Sequence, residues 1–307
     1  MSLHKLLKPR SIAIVGASDK VGPGFNAWNA LKHVGFDGDV YLVNPTKTEL
    51  LGQKCYPSLD AIDGDIDAAF VAVKAENVLE VARQAAAKNT GGMAILSSGF
   101  GDAGPEGLRL QNELVAFAAQ ANLSVCGPNC LGLLNFAGKT ALFGTSLPDE
   151  VKRGSIAAVV QSGSIGIALL NSTRGLGLSH MITSGNEAVT ATADYLEALI
   201  DDPAVKTVIV KEALSRNAAR SLSPLEACNR IRTAAEQAVK SLSAVRPLAL
   251  PPPFALEVDF RVTVEADLAQ MAPGVTRTGP RTVAYQHQDF REVFRAFRTI
   301  FNLAAEE

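Results

Sequence analysis

The stretch SIAIVGASDKVGPGF, residues 11–25, decides the fold. Residues 12–15 form a short, nearly continuous apolar run rich in β-branched side chains, as in a strand buried on both faces of a parallel sheet. Glycines follow at Gly16, Gly22 and Gly24, just before helical patterning begins. Glycines at a strand-to-helix turn let the backbone approach a ligand, and the N–H groups of a helix start attract phosphate. Residues 22–27 fit GxGxxA, a dinucleotide fingerprint, although a plain tight turn fits them too. Dinucleotide enzymes usually end the second strand with an acid for the ribose hydroxyl. Here the second run, 40–43, leads into Asn44 and Pro45, which disfavours NAD but not another phosphate-bearing ligand.

Working outward, the runs 69–73, 93–96 and 123–125 repeat the strand pattern. Between them, 77–88 places Val78, Val81, Ala82 and Ala85 on one helical stripe, and 108–119 does the same with Leu110, Leu114 and Phe117. This alternation predicts a doubly wound α/β sheet that binds ligands beyond the strand C-termini. A second alternation starts near Gly154: strand 156–160, helix 165–173 stopped by Gly175 and Gly177, strand 180–183, helix 191–200 and strand 205–210. Past Val210 the character changes. A helix pattern over 224–242 leads into Pro251-Pro252-Pro253, and then 256–264 alternates with a strict period of two, as in a strand with one wet face. Residues 290–303 carry aromatic side chains at helical spacing and read as core.

With 307 residues the chain can form more than one core, and its 29 basic and 31 acidic residues leave no basic excess for nucleic acid or an anionic membrane. The start does not read as a signal peptide, and no run reaches membrane-spanning length. Four cysteines fit a reduced compartment, so the expected location is the cytoplasm. Cys126 and Cys130 in CGPNC lack zinc spacing and a second ligand pair.

Two further loops could hold phosphate. GPNCLG at 127–132 follows a strand, though such a stretch can be only a turn. In QSGSIG, 161–166, Ser162 or Ser164 can cap the next helix, and its free N–H groups could receive a phosphoryl group. The stretch lacks the first glycine of GxSxG, so it does not support serine hydrolysis.

Taken in order, GAS (16–18), GF (35–36), VNP (43–45), SSGF (97–100), GPNCLG (127–132), QSGSIG (161–166), SGNEA (184–188) and DP (202–203) give residues 11–210 a clear likeness. They resemble the CoA-binding part of NDP-forming acyl-CoA synthetases, relatives of the succinyl-CoA synthetase α subunit. The resemblance implies a Rossmann-like CoA-binding domain over 1–148 and the first half of a flavodoxin-like α/β domain over 149–208, then an α+β segment over 209–307. It implies coenzyme A, free or acylated, as ligand. Gly16, Ala17 and Ser18 would meet its phosphates, Asn44, Pro45 and Lys47 its nucleotide end, and Gly99 and Phe100 its pantetheine arm, with Val73 also in the CoA-binding set. Asn129, Ser162 and Gly163 would flank the phosphoryl centre. Thr46 precedes Lys47 where the family often reads VNPK, and Lys74 stands where proline is common.

Catalysis in that family runs through a phosphohistidine loop that nothing here matches. The histidines are His4, His33, His180 and His287, and the first three read as structural or terminal. No catalytic residue and no metal ligand is therefore assigned. The ATP-grasp module is likewise unmatched, so ligation would need a partner subunit. Residues 209–307 instead resemble the C-terminal end of the zinc D-aminopeptidase family, without its metal ligands, and the switch is expected near Val210 or Lys211. Two readings follow: a CoA or acyl-CoA binding protein derived from a ligase, or an enzyme, either a ligase subunit completed by a partner or a peptidase relative.

Overall fold

The computed structural model describes residues 3–172 and 175–211, and the strands 254–259, 275–279 and 282–287. The helices expected at 224–242 and 290–303 lie outside the described residues.

A short helix α1 (His4–Leu7) opens the chain. Then follow β1 (Ser11–Val15), α2 (Pro23–Val34), β2 (Asp39–Val43), β3 (Glu49–Leu50), β4 (Gln53–Tyr56), β5 (Ala68–Val71), α3 (Ala75–Ala87), β6 (Gly92–Ile95), α4 (Pro105–Ala121) and β7 (Ser124–Cys126). The seven strands form one sheet in the order β3-β4-β2-β1-β5-β6-β7, parallel throughout except for the hairpin strand β3. The strand order reverses at β1, between β2 and β5. All residues of β1, β5 and β6 are buried, as continuous apolar runs require when helices cover both faces. The expected doubly wound parallel sheet is thus observed.

Local chemistry sets the helix ends. Pro23 opens α2, and Gly35 closes it at φ +77° with its N–H on the Lys32 carbonyl and that of Phe36 on Leu31. That is a Schellman cap, which explains the GF pair at 35–36 without a ligand. Pro105 opens α4, and Asn122 closes it in the left-handed region at φ +54°.

The second sheet contains β8 (Gly132–Asn135), β9 (Thr140–Phe143), β10 (Arg153–Val160), β11 (Leu178–Thr183) and β12 (Thr207–Lys211), in the order β12-β10-β11-β8-β9. Helices α5 (Gly163–Leu170) and α6 (Thr192–Ile200) join its parallel strands. The antiparallel β8–β9 hairpin precedes residue 148, yet it pairs with β11. Sheet pairing therefore crosses the boundary expected at 148. One buried cluster runs from Trp28 and Leu31 of α2 through Leu142 and Phe143 to Val159 and Met181. At the far end β13 (Phe254–Asp259), β14 (Val275–Gly279) and β15 (Thr282–His287) form a separate antiparallel sheet; of the strand expected over 256–264, residues 256–259 fall in β13 and the rest lie outside the described residues.

His180, inside β11, is fully buried. Its Nε2 has no hydrogen-bond partner among the described residues and lies 3.6 Å from Asp202 Oδ2, which Lys8 Nζ meets at 2.9 Å. Burial pushes the imidazole pKa down to about 4 against the pull of Asp202. The unfolded chain takes up this proton near pH 6.5 while the folded chain resists it until about 4, so stability falls as pH drops through that window. The loss amounts to about 3 kcal/mol. Urea titrations from pH 7 to 4 should show this slope in the parent and a flatter one in His180→Asn; parallel curves would assign the acid sensitivity elsewhere.

Candidate functional site

Five consecutive strands of the first sheet end on one edge, and the loops leaving them bring together the residues expected to hold a ligand. Gly16, Ala17 and Ser18 follow β1, and Asn44, Pro45 and Lys47 follow β2. Val73 follows β5, Gly99 and Phe100 follow β6, and Asn129 follows β7. A crevice at the carboxyl edge, where the strand order reverses, is the usual ligand site of such sheets.

Gly16 lies at φ +89°, and an added Cβ there would run into the Ala72 carbonyl oxygen. A Cβ on Gly24 would likewise collide with the Gly16 carbonyl oxygen. These glycines bring the start of α2 hard against the end of β1, a cradle with no side chain between helix and sheet. The N–H groups of Gly16 and Ala17 both donate to the Val43 carbonyl, at 3.0 and 3.1 Å. They are therefore spent on the turn. The first helical bond of α2 is Asn26 N to Gly22 O, which leaves the N–H groups of Gly24 and Phe25 ahead of the ladder. Asn44 ties two loops: its Nδ2 donates to the Ala17 carbonyl at 2.9 Å, and its Oδ1 accepts from Thr46 N and Oγ1. Lys47 is exposed. Phe100 turns into the core and is 1% exposed, so only its backbone faces the edge.

Ser162 stands at the N-cap of α5, but its hydroxyl makes no capping bond, contrary to the capping role the sequence allows. The helical bonds start with Ile165 N and Gly166 N onto the Ser162 carbonyl, leaving Gly163 and Ser164 N–H free of the ladder. A Cβ on Gly163 would come within 2.6 Å of Leu131 Cγ, so this glycine lets α5 pack on the 127–132 loop. A free hydroxyl and free helix-start N–H groups suit an anion.

The loop 184–190 joins these parts. Gly185 N donates to Gln161 O, Asn186 N to Pro128 O and Ala188 N to Gly127 O. Glu187 braces the loop, accepting from the hydroxyls of Ser184 and Thr192, both at 2.6 Å, and from Thr192 N. The Asn186 side chain donates to Asp102 Oδ1 and Gln111 Oε1, each at 3.1 Å, and accepts from Asn129 Nδ2 at 3.4 Å. Burial raises the Asp102 carboxyl, but donors from Asn186, Gly99 and Phe100 outweigh it and hold the group below its ordinary range. Sequence reasoning gave Asp102, Gln111, Asn186 and Glu187 no role. SGNEA held two of them, and an aspartate just after Gly101 is a turn signal.

The sequence profile described as a CoA binding domain matches residues 10–135, and that of D-aminopeptidase matches 173–299. A trans-feruloyl-CoA synthase from an unknown prokaryote is 38% identical over 206 residues, covering 65% of this chain and 29% of that protein. The alpha subunit of an ADP-forming acetate–CoA ligase from Pyrococcus furiosus is 35% identical over 218 residues, covering 68% of this chain and 46% of the subunit. A D-aminopeptidase from Bacillus subtilis is 32% identical over 103 residues, covering 33% of this chain and 38% of the enzyme. The dinucleotide-forming acetyl-coenzyme A synthetase 1 of Ca. Korarchaeum cryptofilum, solved with phosphate and ADP, superposes with a TM-score of 0.68 at 28% identity, covering 77% of this chain and 49% of that one. The front of the chain is similar to NDP-forming acyl-CoA synthetases, and its tail to D-aminopeptidases. The chain spans 28% to 46% of the length of the ligases it matches.

Both expected resemblances are borne out, as is the coenzyme A module. The aminopeptidase-like match begins at 173, well before the switch expected near Val210, so the ligase-like and aminopeptidase-like patterns overlap. Among the described residues no helix is long and apolar enough to cross a membrane.

Because Ser162 makes no capping bond, Ser162→Ala should change stability by less than about 0.5 kcal/mol, against about 1 kcal/mol for a working cap. Equilibrium unfolding in urea would measure it, and a loss near the larger figure would return Ser162 to a structural role.

Proposed function

We propose that this chain binds coenzyme A or an acyl-CoA along the carboxyl edge of the first sheet. It would serve as the CoA-binding portion of an NDP-forming acyl-CoA synthetase, whose reaction is acyl-CoA + NDP + phosphate to acid + CoA + NTP. The observation that carries this reading is the cradle made by Gly16 and Gly24, tied through Asn44 to the loop that carries the exposed Lys47. The α2 start offers amides to the diphosphate, and the second strand ends in Asn44 instead of the acid a dinucleotide would need. A lysine there matches the extra 3′-phosphate.

In detail, Ser18 and the α2 start contact the diphosphate, Gly16 and Ala17 shape the turn, and Asn44 and Pro45 seat the nucleotide end with Lys47. Val73 and the backbone at Gly99 and Phe100 line the path of the pantetheine arm. The free hydroxyl of Ser162, the amide of Gly163 and the side chain of Asn129 form a phosphate subsite. The units are a CoA domain over 1–148, a ligase-like half-domain over 149–208 and an aminopeptidase-like segment over 209–307. Histidine is the covalent phosphate carrier of this chemistry, and serine or cysteine does not simply replace it. Full ligation, in the cytoplasm, would call for a histidine loop and an ATP-grasp module, carried by the same protein or, in the alternative reading, by a partner subunit. The alpha-subunit name of the Pyrococcus furiosus relative supports such a division of labour.

A ligand that binds only the folded state stabilises it, by about 2.7 kcal/mol at a hundredfold excess over Kd. CoA should therefore raise the melting temperature and NAD should leave it unchanged; no shift with millimolar CoA, or equal shifts with both, would end this reading.

The 3′-phosphate assignment has its own test. Lys47→Ala should weaken CoA binding by roughly tenfold, a charge-assisted contact, while dephospho-CoA binds parent and variant alike. Equal losses for the two ligands in calorimetry would move the 3′-phosphate away from Lys47.

A further inference from the structure

One side chain bonds both the braces of the 99–101 loop and Asn129. Asn186, in the loop after β11, donates to Asp102 Oδ1 and Gln111 Oε1, both at 3.1 Å. Those two acceptors are themselves the braces of the 99–101 loop. Asp102 takes the N–H of Phe100 at 3.3 Å and that of Gly99 at 3.5 Å, and Gln111 Oε1 takes the N–H of Gly101 at 3.2 Å. On its other side, the Asn186 carbonyl oxygen accepts from Asn129 Nδ2 at 3.4 Å, and its backbone N–H donates to Pro128 O at 2.9 Å. Its neighbour Gly185 donates to Gln161, next to Ser162. A Cβ on Gly185 would collide with the Pro128 carbonyl oxygen, so the two loops touch backbone to backbone. Asn129 itself sits in the left-handed region at φ +58°, held there by its N–H on Ser97 O at 2.9 Å.

We propose that Asn186 is a positioning residue that couples the pantetheine loop 99–101 to the phosphate subsite at Asn129 and Ser162, so that CoA and phosphate each tighten the binding of the other. This rests on the CoA reading above and adds to it a heterotropic linkage. An anion that engages Asn129 and the α5 start fixes the 127–129 and 161–163 loops, and through Asn186 it also fixes the braces of the pantetheine loop. CoA arriving second then meets a loop already ordered, and by linkage phosphate gains by the same factor. A side-chain amide suits this post, since it donates to Asp102 and Gln111 while accepting from Asn129.

The experiment is calorimetry of CoA binding to the full chain with and without saturating inorganic phosphate, and of phosphate with and without CoA. In the parent, each should tighten the other by about fivefold or more. In Asn186→Ala each ligand should still bind alone, with the mutual effect reduced to within about twofold of none. Asp102→Asn, which keeps an acceptor oxygen for Asn186, should retain most of it. Mutual tightening of the same size in Asn186→Ala, or none in the parent, overturns the coupling and leaves CoA binding standing. Failure of the parent to bind CoA at all removes the CoA reading, and the coupling with it. Should Asn186→Ala not fold, hydrogen exchange on the parent decides: phosphate alone should slow the Gly99, Phe100 and Gly101 amides, and unchanged exchange there overturns the proposal.

Discussion

The outer edge of β7 would be an open row of backbone groups if nothing lay beside it, because β7 is the last strand of the first sheet. The 184–190 loop of the second α/β unit covers that edge. Thr190 N bonds Val125 O, Thr190 Oγ1 receives Val125 N, and Ala188 and Asn186 continue along Gly127 and Pro128. This seam satisfies polar groups of both partners at once, and it fixes the second sheet at the carboxyl edge of the first. Thr183 adds a buried tie, receiving Leu131 N at 2.9 Å and donating to Gly132 O at 2.8 Å. The glycine-rich loops face one another only because the seam holds, so the candidate site is a product of tertiary contact between units that each supply half of it.

The β8–β9 hairpin makes the same point in apolar terms. Its residues are buried throughout, and its side chains share a core with α2 on one side and β10 and β11 on the other. Asn26 Nδ2 donates to Gly144 O at 3.2 Å, and Asn135 Nδ2 to the Leu7 carbonyl at 3.0 Å. Chain order would place the hairpin with the first domain. Packing instead makes it the wedge between the domains, and burial at roughly 25 cal/mol per Å² of apolar area gives the wedge most of its hold.

How much of this was legible depended on whether the signal was local. Strands β1, β5 and β6 were readable because burial on both faces demands continuous apolar runs, β2 and β10 because their buried C-terminal halves carry such runs, and the bounds differ from the expected ones by a few residues at most. The hairpin was not, since GLLN and TALF hold only two and three apolar residues beside Asn135 and Thr140, too short a run to stand out. At the site, the glycines of the first loop were legible as a close approach, but the use of the Gly16 and Ala17 amides on Val43 was not, because β2 lies far off in sequence. The Asn186 contacts were hidden for the same reason: Asp102 and Asn129 come from two other loops and Gln111 from helix α4. Ser162 shows the converse. The residue type suggested a cap, and the geometry leaves the hydroxyl unused.

The overlap of the two resemblances over 173–211 has a physical origin. A buried strand, an amphipathic helix and another strand are what any α/β unit requires, so this stretch can satisfy two unrelated patterns without conflict. Packing separates what pattern cannot. β11 is hydrogen-bonded to β10 and to β8, Thr183 is bonded into the 131–132 turn, and Tyr195 of α6 is fully buried in the cluster that holds Cys126 and Cys130. Each of these contacts is to the ligase-like part. Among the described strands, β12 pairs with β10 alone. The first strand beyond it in the described chain, β13, pairs with β15 in another sheet. Residues 175–211 are therefore built into the front of the molecule by contact, whichever family pattern they also fit, and the change of architecture lies between β12 and β13.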